Sequence, residues 1–123
     1  MDFTNPLQLI RGLYSFKGYR LAGFHDLPGR VMAVLRKTGK TGACPKCFRE
    51  RRRFESAYTR EIRDLDIVGK RSIIVFPIGV IRCSCGYRGI ESLDFVDKHS
   101  NYTKRFEEFV ALLCQKNDEQ ERR

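Results

Sequence analysis

The chain has 123 residues, 41% hydrophobic and 32% charged, which is enough for one small core and too little for two ordinary domains. Lysine and arginine number 24 against 15 acidic residues, and the resulting formal charge of +9 attracts polyanions. The N-terminus, Met1-Asp2-Phe3-Thr4-Asn5, lacks a basic stretch leading into an unbroken apolar run, and five cysteines cannot all pair, so a secreted disulfide scaffold is set aside and a cytoplasmic protein is expected.

Thr4 or Asn5 can cap a helix with Pro6 in its first turn, where a missing N–H costs nothing, and Leu7, Ile10 and Tyr14 fall on one face of it. The pattern then turns β-like. Tyr19 to His25 and Arg30 to Lys37 flank the turn formers Asp26-Leu27-Pro28-Gly29, which predicts a hairpin. The loop Thr38-Gly39-Lys40-Thr41-Gly42 leads into Cys44-Pro45-Lys46-Cys47. Arg51 to Tyr58 alternates with a period of two, as a strand with one wet face does.

Arg71 to Phe76 and Ile78 to Arg82 are apolar and β-branched, and Pro77 between them cannot donate to a ladder, which places it at a bulge or an edge. With Gly79 it also breaks the most apolar run, Ile73 to Ile81, which is far short of the roughly 18 to 20 residues that cross a bilayer, so no membrane span is expected. After Ser100 or Thr103 a helix carries Phe106, Phe109, Val110 and Leu113 at helical spacing. Cys114, next on that stripe, is expected to pack in the core, and the polar tail from Asn117 to fray. The fold predicted is a single α+β unit, a small β-sheet with flanking N- and C-terminal helices. It divides into residues 1–98, β-rich with the N-terminal helix, and 99–123, the last helix and tail.

Two residues separate Cys44 from Cys47, 35 separate Cys47 from Cys83, and one separates Cys83 from Cys85. Zinc takes four thiolates at about 2.3 Å, and two tight turns can aim two sulfurs each at one point. Gly86 eases the second turn. The interval exceeds the roughly 15 to 20 residues of a short ribbon, so extra strands must fill it, and the β-rich residues 1–98 are expected to form a zinc-ribbon-like, zinc-binding sheet. Four thiolates leave no position for water, which makes the metal structural. A redox pair at Cys44 and Cys47 would need a βαβ context that is missing, and His99 is a reserve ligand. His25 reads as an ordinary surface or core residue.

Between Arg11 and Arg63 lie 14 basic and 4 acidic residues; the remainder of the chain holds 10 and 11. Arg49, Arg51, Arg52 and Arg53 beside the first cysteine pair, with Arg60 and Arg63 beyond, are candidates to grip phosphates, with Phe54 or Tyr58 available to stack. A solvated basic face is the plainer alternative. Asp64 and Asp66 could ligate a divalent cation, but nothing nearby completes a two-metal set, and Gly69-Lys70 favours a turn there. No catalytic residue is assigned.

In order, Cys44-Pro45-Lys46-Cys47, Tyr58, Arg60, Arg63-Asp64-Leu65, Gly69-Lys70, Ile81-Arg82-Cys83 and Tyr102-Thr103-Lys104-Arg105-Phe106-Glu107-Glu108 resemble the N-terminal part of ISL-three family transposases, over roughly Leu9 to Lys116. In that family a zinc finger precedes a helix-turn-helix and a DDE-type catalytic domain, and the N-terminal modules bind terminal inverted repeats. The resemblance implies zinc ligation by Cys44, Cys47 and Cys83, with Cys85 in the fourth place although the family spaces that pair more widely. It implies DNA, the inverted repeats of an insertion element, as partner. Thr103 to Cys114 would be the first helix of a truncated helix-turn-helix, and without the catalytic domain no enzyme and no small-molecule substrate are expected. A protein-interaction adaptor using the C-terminal helix and an RNA-binding zinc ribbon remain the alternatives.

Overall fold

The computed structural model describes residues 6–51, 54–67 and 69–121. In chain order the elements are α1 (Pro6–Leu13), β1 (Tyr19–Leu27), β2 (Arg30–Lys37), β3 (Gly42–Ala43), β4 (Glu50–Arg51), β5 (Phe54–Ile67), β6 (Lys70–Arg82), β7 (Arg88–Ile90) and α2 (Lys104–Glu121). The expected α+β architecture is present as a mixed five-stranded sheet with a short helix before it and a longer one after. Capping by Thr4 or Asn5, and the placement of Arg52 and Arg53, lie outside the described residues.

β1 and β2 form the predicted hairpin, with Pro28-Gly29 as its loop and a bulge at Ala22, where the register shifts between Leu21 and Gly23. The central strand is β6. One edge pairs with β5 in a long antiparallel ladder; the other is shared by β2, parallel from Arg71 to Val75, and β7, antiparallel from Val80 to Arg82. Pro77 sits in the gap between those two neighbours, so its missing N–H breaks no ladder. Side chains fill the gap instead. The Tyr19 hydroxyl donates to the Pro77 carbonyl at 2.7 Å, and the Gly79 N–H donates to the Glu91 carboxylate at 2.8 Å.

Alternation along β6 buries Ser72, Ile74, Phe76 and Ile78 on one face, where Ala33 and Leu35 of β2 and Ile62 of β5 join them. Tyr14, Tyr19, Phe95 and Val96 close that core. The rings of Tyr19, Phe76 and Phe95 meet edge-on with centroids 5.2 to 5.7 Å apart, the arrangement that ring quadrupoles favour. Tyr14 and Ser72 share a hydrogen bond of 2.6 Å at the end of α1.

Asp64 and Asp66 lie within β5, which continues to Ile67 before turning at Gly69, so the turn comes later than expected. Asp64 is buried and serves the C-terminal helix. Thr103 caps α2: its hydroxyl accepts from the Phe106 N–H at 3.2 Å and donates to Asp64 at 2.8 Å. Backbone bonds from Arg63 to Asn101 and from Thr103 to Arg63, both 2.9 Å, cover the outer edge of β5.

Beyond this anchor the helix departs from expectation. Among the described residues, the bonds that hold α2 all arise between Thr103 and Glu107, while Phe109, Val110, Leu112 and Leu113 are exposed. Cys114 is exposed too, rather than in the core, because helical spacing defines a stripe without supplying a surface for it. Nor does the helix stop at Asn117; it continues to Glu121 through residues that are mostly good helix formers.

Candidate metal centre

β2 leaves the sheet, β5 enters it and β6 ends at the same end of the molecule, and both cysteine pairs sit there. The β3–β4 hairpin carries Cys44 and Cys47, and the turn between β6 and β7 carries Cys83 and Cys85. Most of the interval between the pairs is the β5–β6 hairpin, which supplies the extra strands the spacing required. Two contacts dock β3 on the sheet. The Ser92 N–H donates to the Ala43 carbonyl at 2.8 Å, and Phe54 lies where a Cβ on Gly79 or Gly42 would fall 2.1 or 2.8 Å from its ring, so both positions need glycine. Lys37 stands 4.5 Å above that ring, pairs with buried Glu91 at 2.5 Å and donates to the Thr41 carbonyl. Phe54 is thus packed away rather than available to stack, whereas Tyr58 is half-exposed.

The two turns repeat one hydrogen-bond pattern. In the first, the Cys44 N–H donates to the Arg49 carbonyl and the Phe48 N–H to the Cys44 carbonyl; in the second, the Cys83 N–H donates to the Tyr87 carbonyl and the Gly86 N–H to the Cys83 carbonyl. Each turn needs a left-handed residue. Gly86 supplies it at φ 99°, as expected, and Phe48 takes the corresponding place at φ 64°.

The four sulfurs lie within 4.8 Å of one another, with Cys44 to Cys85 at 3.6 Å and Cys47 to Cys83 at 3.4 Å. These separations are too long for disulfides of about 2.05 Å. They are close to the edge of about 3.8 Å of a tetrahedron with 2.3 Å bonds, so the set fits zinc. Burial pushes the Cys44 thiol up, but N–H groups of Cys47 and Lys46 and the neighbouring sulfurs hold it below the ordinary thiol range. For Cys85 the Tyr87 N–H pulls down while burial and the other three sulfurs push up, to about 11. Crowded thiols resist losing their protons together, and a dication offsets that repulsion. Four cysteines suffice without His99, which is exposed, as is His25.

The candidate phosphate-binding arginines do not form one group. Arg49 is exposed beside the first turn, and nothing is described of the Arg51 side chain. Arg60 instead braces the loop before α2, donating to the carbonyls of Lys98 at 3.3 Å and of Ser100. Arg63 stacks 5.0 Å from the Phe106 ring and pairs with Asp66 at 3.4 Å. Each touches the segment that leads into α2 or its first turn, because that segment folds back along β5, which their sequence neighbourhood gave no sign of.

A second basic group was hidden by the hairpin. Arg20 of β1 and Arg36 of β2 face each other directly across the ladder, and with Arg11 they line a cleft of about 510 Å³ beside the Ala22 bulge. Among the described residues, none of Arg11, Arg20, Arg36, Lys46 and Arg49 has a carboxylate partner. The charge excess from Arg11 onward pointed to the region, and only the register made the pair.

A sheet ending in two thiol-bearing turns that converge on one point defines a zinc ribbon with a lengthened hairpin. Residues 40–85 match the family model of the zinc-finger of transposase IS204/IS1001/IS1096/IS1165, a stretch that takes in both cysteine turns and the β5–β6 hairpin. No curated protein and no solved structure matches the chain. No helix among the described residues is long and apolar enough to cross a membrane.

Proposed function

We propose that this chain is a zinc-binding, DNA-binding module of the kind that opens insertion-sequence transposases, acting by binding rather than by catalysis. Its target would be duplex DNA, the terminal inverted repeats of an insertion element, and its compartment the cytoplasm, where thiols stay reduced. The observation that carries this reading is the directly opposed pair Arg20 and Arg36, which no described carboxylate neutralises, on the strands leading into the four-cysteine end. Like charges held face to face weaken a sheet, so a polyanion that neutralises them is the natural complement. The zinc-ribbon match over residues 40–85 supports the same class.

Zinc bound by Cys44, Cys47, Cys83 and Cys85 would supply structural cross-linking, with no open position for a reacting water. The chain itself does the rest. Phe54, seated on Gly42 and Gly79, fixes the ribbon to the sheet, and Lys37 with Glu91 locks β2 to the β6–β7 gap. Arg11, Arg20, Arg36, Lys46 and Arg49 are left to contact phosphates, and the sequence adds Arg51, Arg52 and Arg53 as further candidates.

Fluorescence anisotropy of the zinc-loaded protein on a labelled duplex tests this. Affinity should fall steeply between low and moderate salt as counterions are released. Undetectable binding at low salt, or binding that ignores salt, would contradict it. A matched RNA duplex that competes better than DNA would favour the RNA-binding alternative. The exposed Phe109, Val110, Leu112 and Leu113 of α2 favour a second reading, a protein-docking helix, which predicts that polar substitutions there leave DNA affinity unchanged while abolishing a protein complex.

A further inference from the structure

We infer that Phe48 is a wedge that enters the base stack of duplex DNA from the tip of the first cysteine turn, with Lys46 and Arg49 on the flanking phosphates. This deepens the DNA-binding reading and rests on it.

Two observations meet at Phe48. The residue is 79% exposed, well above the 58% of Leu112, the next most exposed large apolar residue among the described residues. Its backbone is also left-handed, at φ 64°, a conformation that a bulky L-residue adopts only under constraint. The matching position of the second turn holds Gly86, which fills the same hydrogen-bonding role without strain. Glycine would therefore serve the first turn as well, and the fold has no use for this ring. Strain of this kind, held by surrounding structure, commonly marks a functional position.

The surroundings select the partner. Lys46, two residues before Phe48, and Arg49, the residue after it, are both exposed, and neither has a carboxylate partner among the described residues. A ring between two cations fits a polymer with apolar faces between phosphates. Single-strand binders instead line up successive rings in a groove. Here the aromatic side chains packed against the cysteine turns are otherwise engaged: Phe54 is packed on Gly79, and the Tyr87 hydroxyl donates to the Ile90 carbonyl at 2.8 Å, while half-exposed Tyr58 lies four residues further along β5. A single, strongly exposed ring on a turn tied by two backbone hydrogen bonds has the shape of a wedge.

The test compares zinc-loaded wild type with Phe48→Gly, and with Phe48→Asn as a second residue tolerant of this backbone, on a duplex containing 2-aminopurine. The melting temperature of the variants should equal or exceed wild type, because strain is relieved. Duplex affinity should fall roughly tenfold or more, with the salt slope unchanged because no charge is removed, and the 2-aminopurine signal that wild type produces on binding should vanish. Phe48→Trp should restore both. Variants that bind duplex as tightly as wild type would overturn the wedge while leaving the DNA-binding reading intact, as would a wild-type preference for single strands of equal length. A wild type that binds no duplex at low salt would remove the DNA-binding reading and this inference with it.

Discussion

Asp64 receives a two-pronged bond from Arg105: Nε donates to Oδ1 at 2.7 Å and a terminal guanidinium nitrogen donates to Oδ2. The aspartate is 1% exposed, 41 residues from its partner, and also accepts from the Thr103 hydroxyl that caps α2. One carboxylate therefore fixes both the position and the start of the C-terminal helix. The Arg105 guanidinium in turn stands 4.8 Å from the Phe16 ring, joining helix, strand and core in one cluster. The carboxylate loses its water while Arg105 keeps 38% of its side chain exposed, so the pair stands because the buried partner is fully hydrogen-bonded.

Asp64→Ala should lower the urea unfolding free energy by about 2 to 3 kcal/mol, by removing the charged hydrogen bonds to Arg105 and the cap's partner while the part-exposed arginine still reaches water. Asp64→Asn, which keeps a hydrogen-bond acceptor, should cost less. A variant as stable as wild type would mean that α2 is held by other contacts.

At the ribbon's seat, Gly79→Ala would bring a methyl to 2.1 Å from Phe54. Overpacking of this kind should cost about 1 to 3 kcal/mol. The double variant Gly79→Ala, Phe54→Leu should recover part of the loss, since the ring rather than the backbone is the obstacle. Thermal melts of the single and double variants decide it.

What the sequence disclosed and what it withheld divide along physical lines. The cysteine turns were legible because their chemistry is local: two closely spaced thiols and a following glycine describe a turn by themselves. The β1–β2 hairpin was legible for the same reason, through Pro28 and Gly29. The packing of Phe54 was not, because its cradle is made by Gly42 and Gly79, distant in sequence. Arg60 and Arg63 continue the Arg49 to Arg53 run in sequence, yet the return of the chain along β5 gives each of them a contact there that the sequence did not announce. Cys114 was misplaced because a helical stripe says which residues share a face and not whether a neighbour covers it. Phe48 drew no attention, since exposure and backbone angle are written only in three dimensions.

Buried tyrosines set an alkaline limit. Burial pushes Tyr19 well above the ordinary tyrosine range, and Tyr14 rises as well, burial outweighing its bond to Ser72. The unfolded chain then ionises first, so the stability these groups contribute is complete below about pH 10 and drains away as pH rises above it. Unfolding free energies measured from about pH 8 to 11.5 should fall past about pH 10. Tyr19→Phe should flatten that fall, at the cost of about 1 kcal/mol at neutral pH for the missing bond to Pro77.

Removing the opposed pair should separate binding from stability. Arg20→Ala combined with Arg36→Ala relieves repulsion, so the melting temperature should hold or rise. The slope of log affinity against log salt should become shallower by about 2, one for each phosphate that the variant leaves unneutralised. An unchanged slope would place the DNA elsewhere on the molecule.

Metal content is the most direct measurement of all. Elemental analysis of untagged protein together with native mass spectrometry should find one zinc per chain, and removing it with a chelator should collapse the cooperative melt. Protein that carries no stoichiometric metal and melts identically with or without chelator would contradict a four-sulfur zinc clamp at Cys44, Cys47, Cys83 and Cys85.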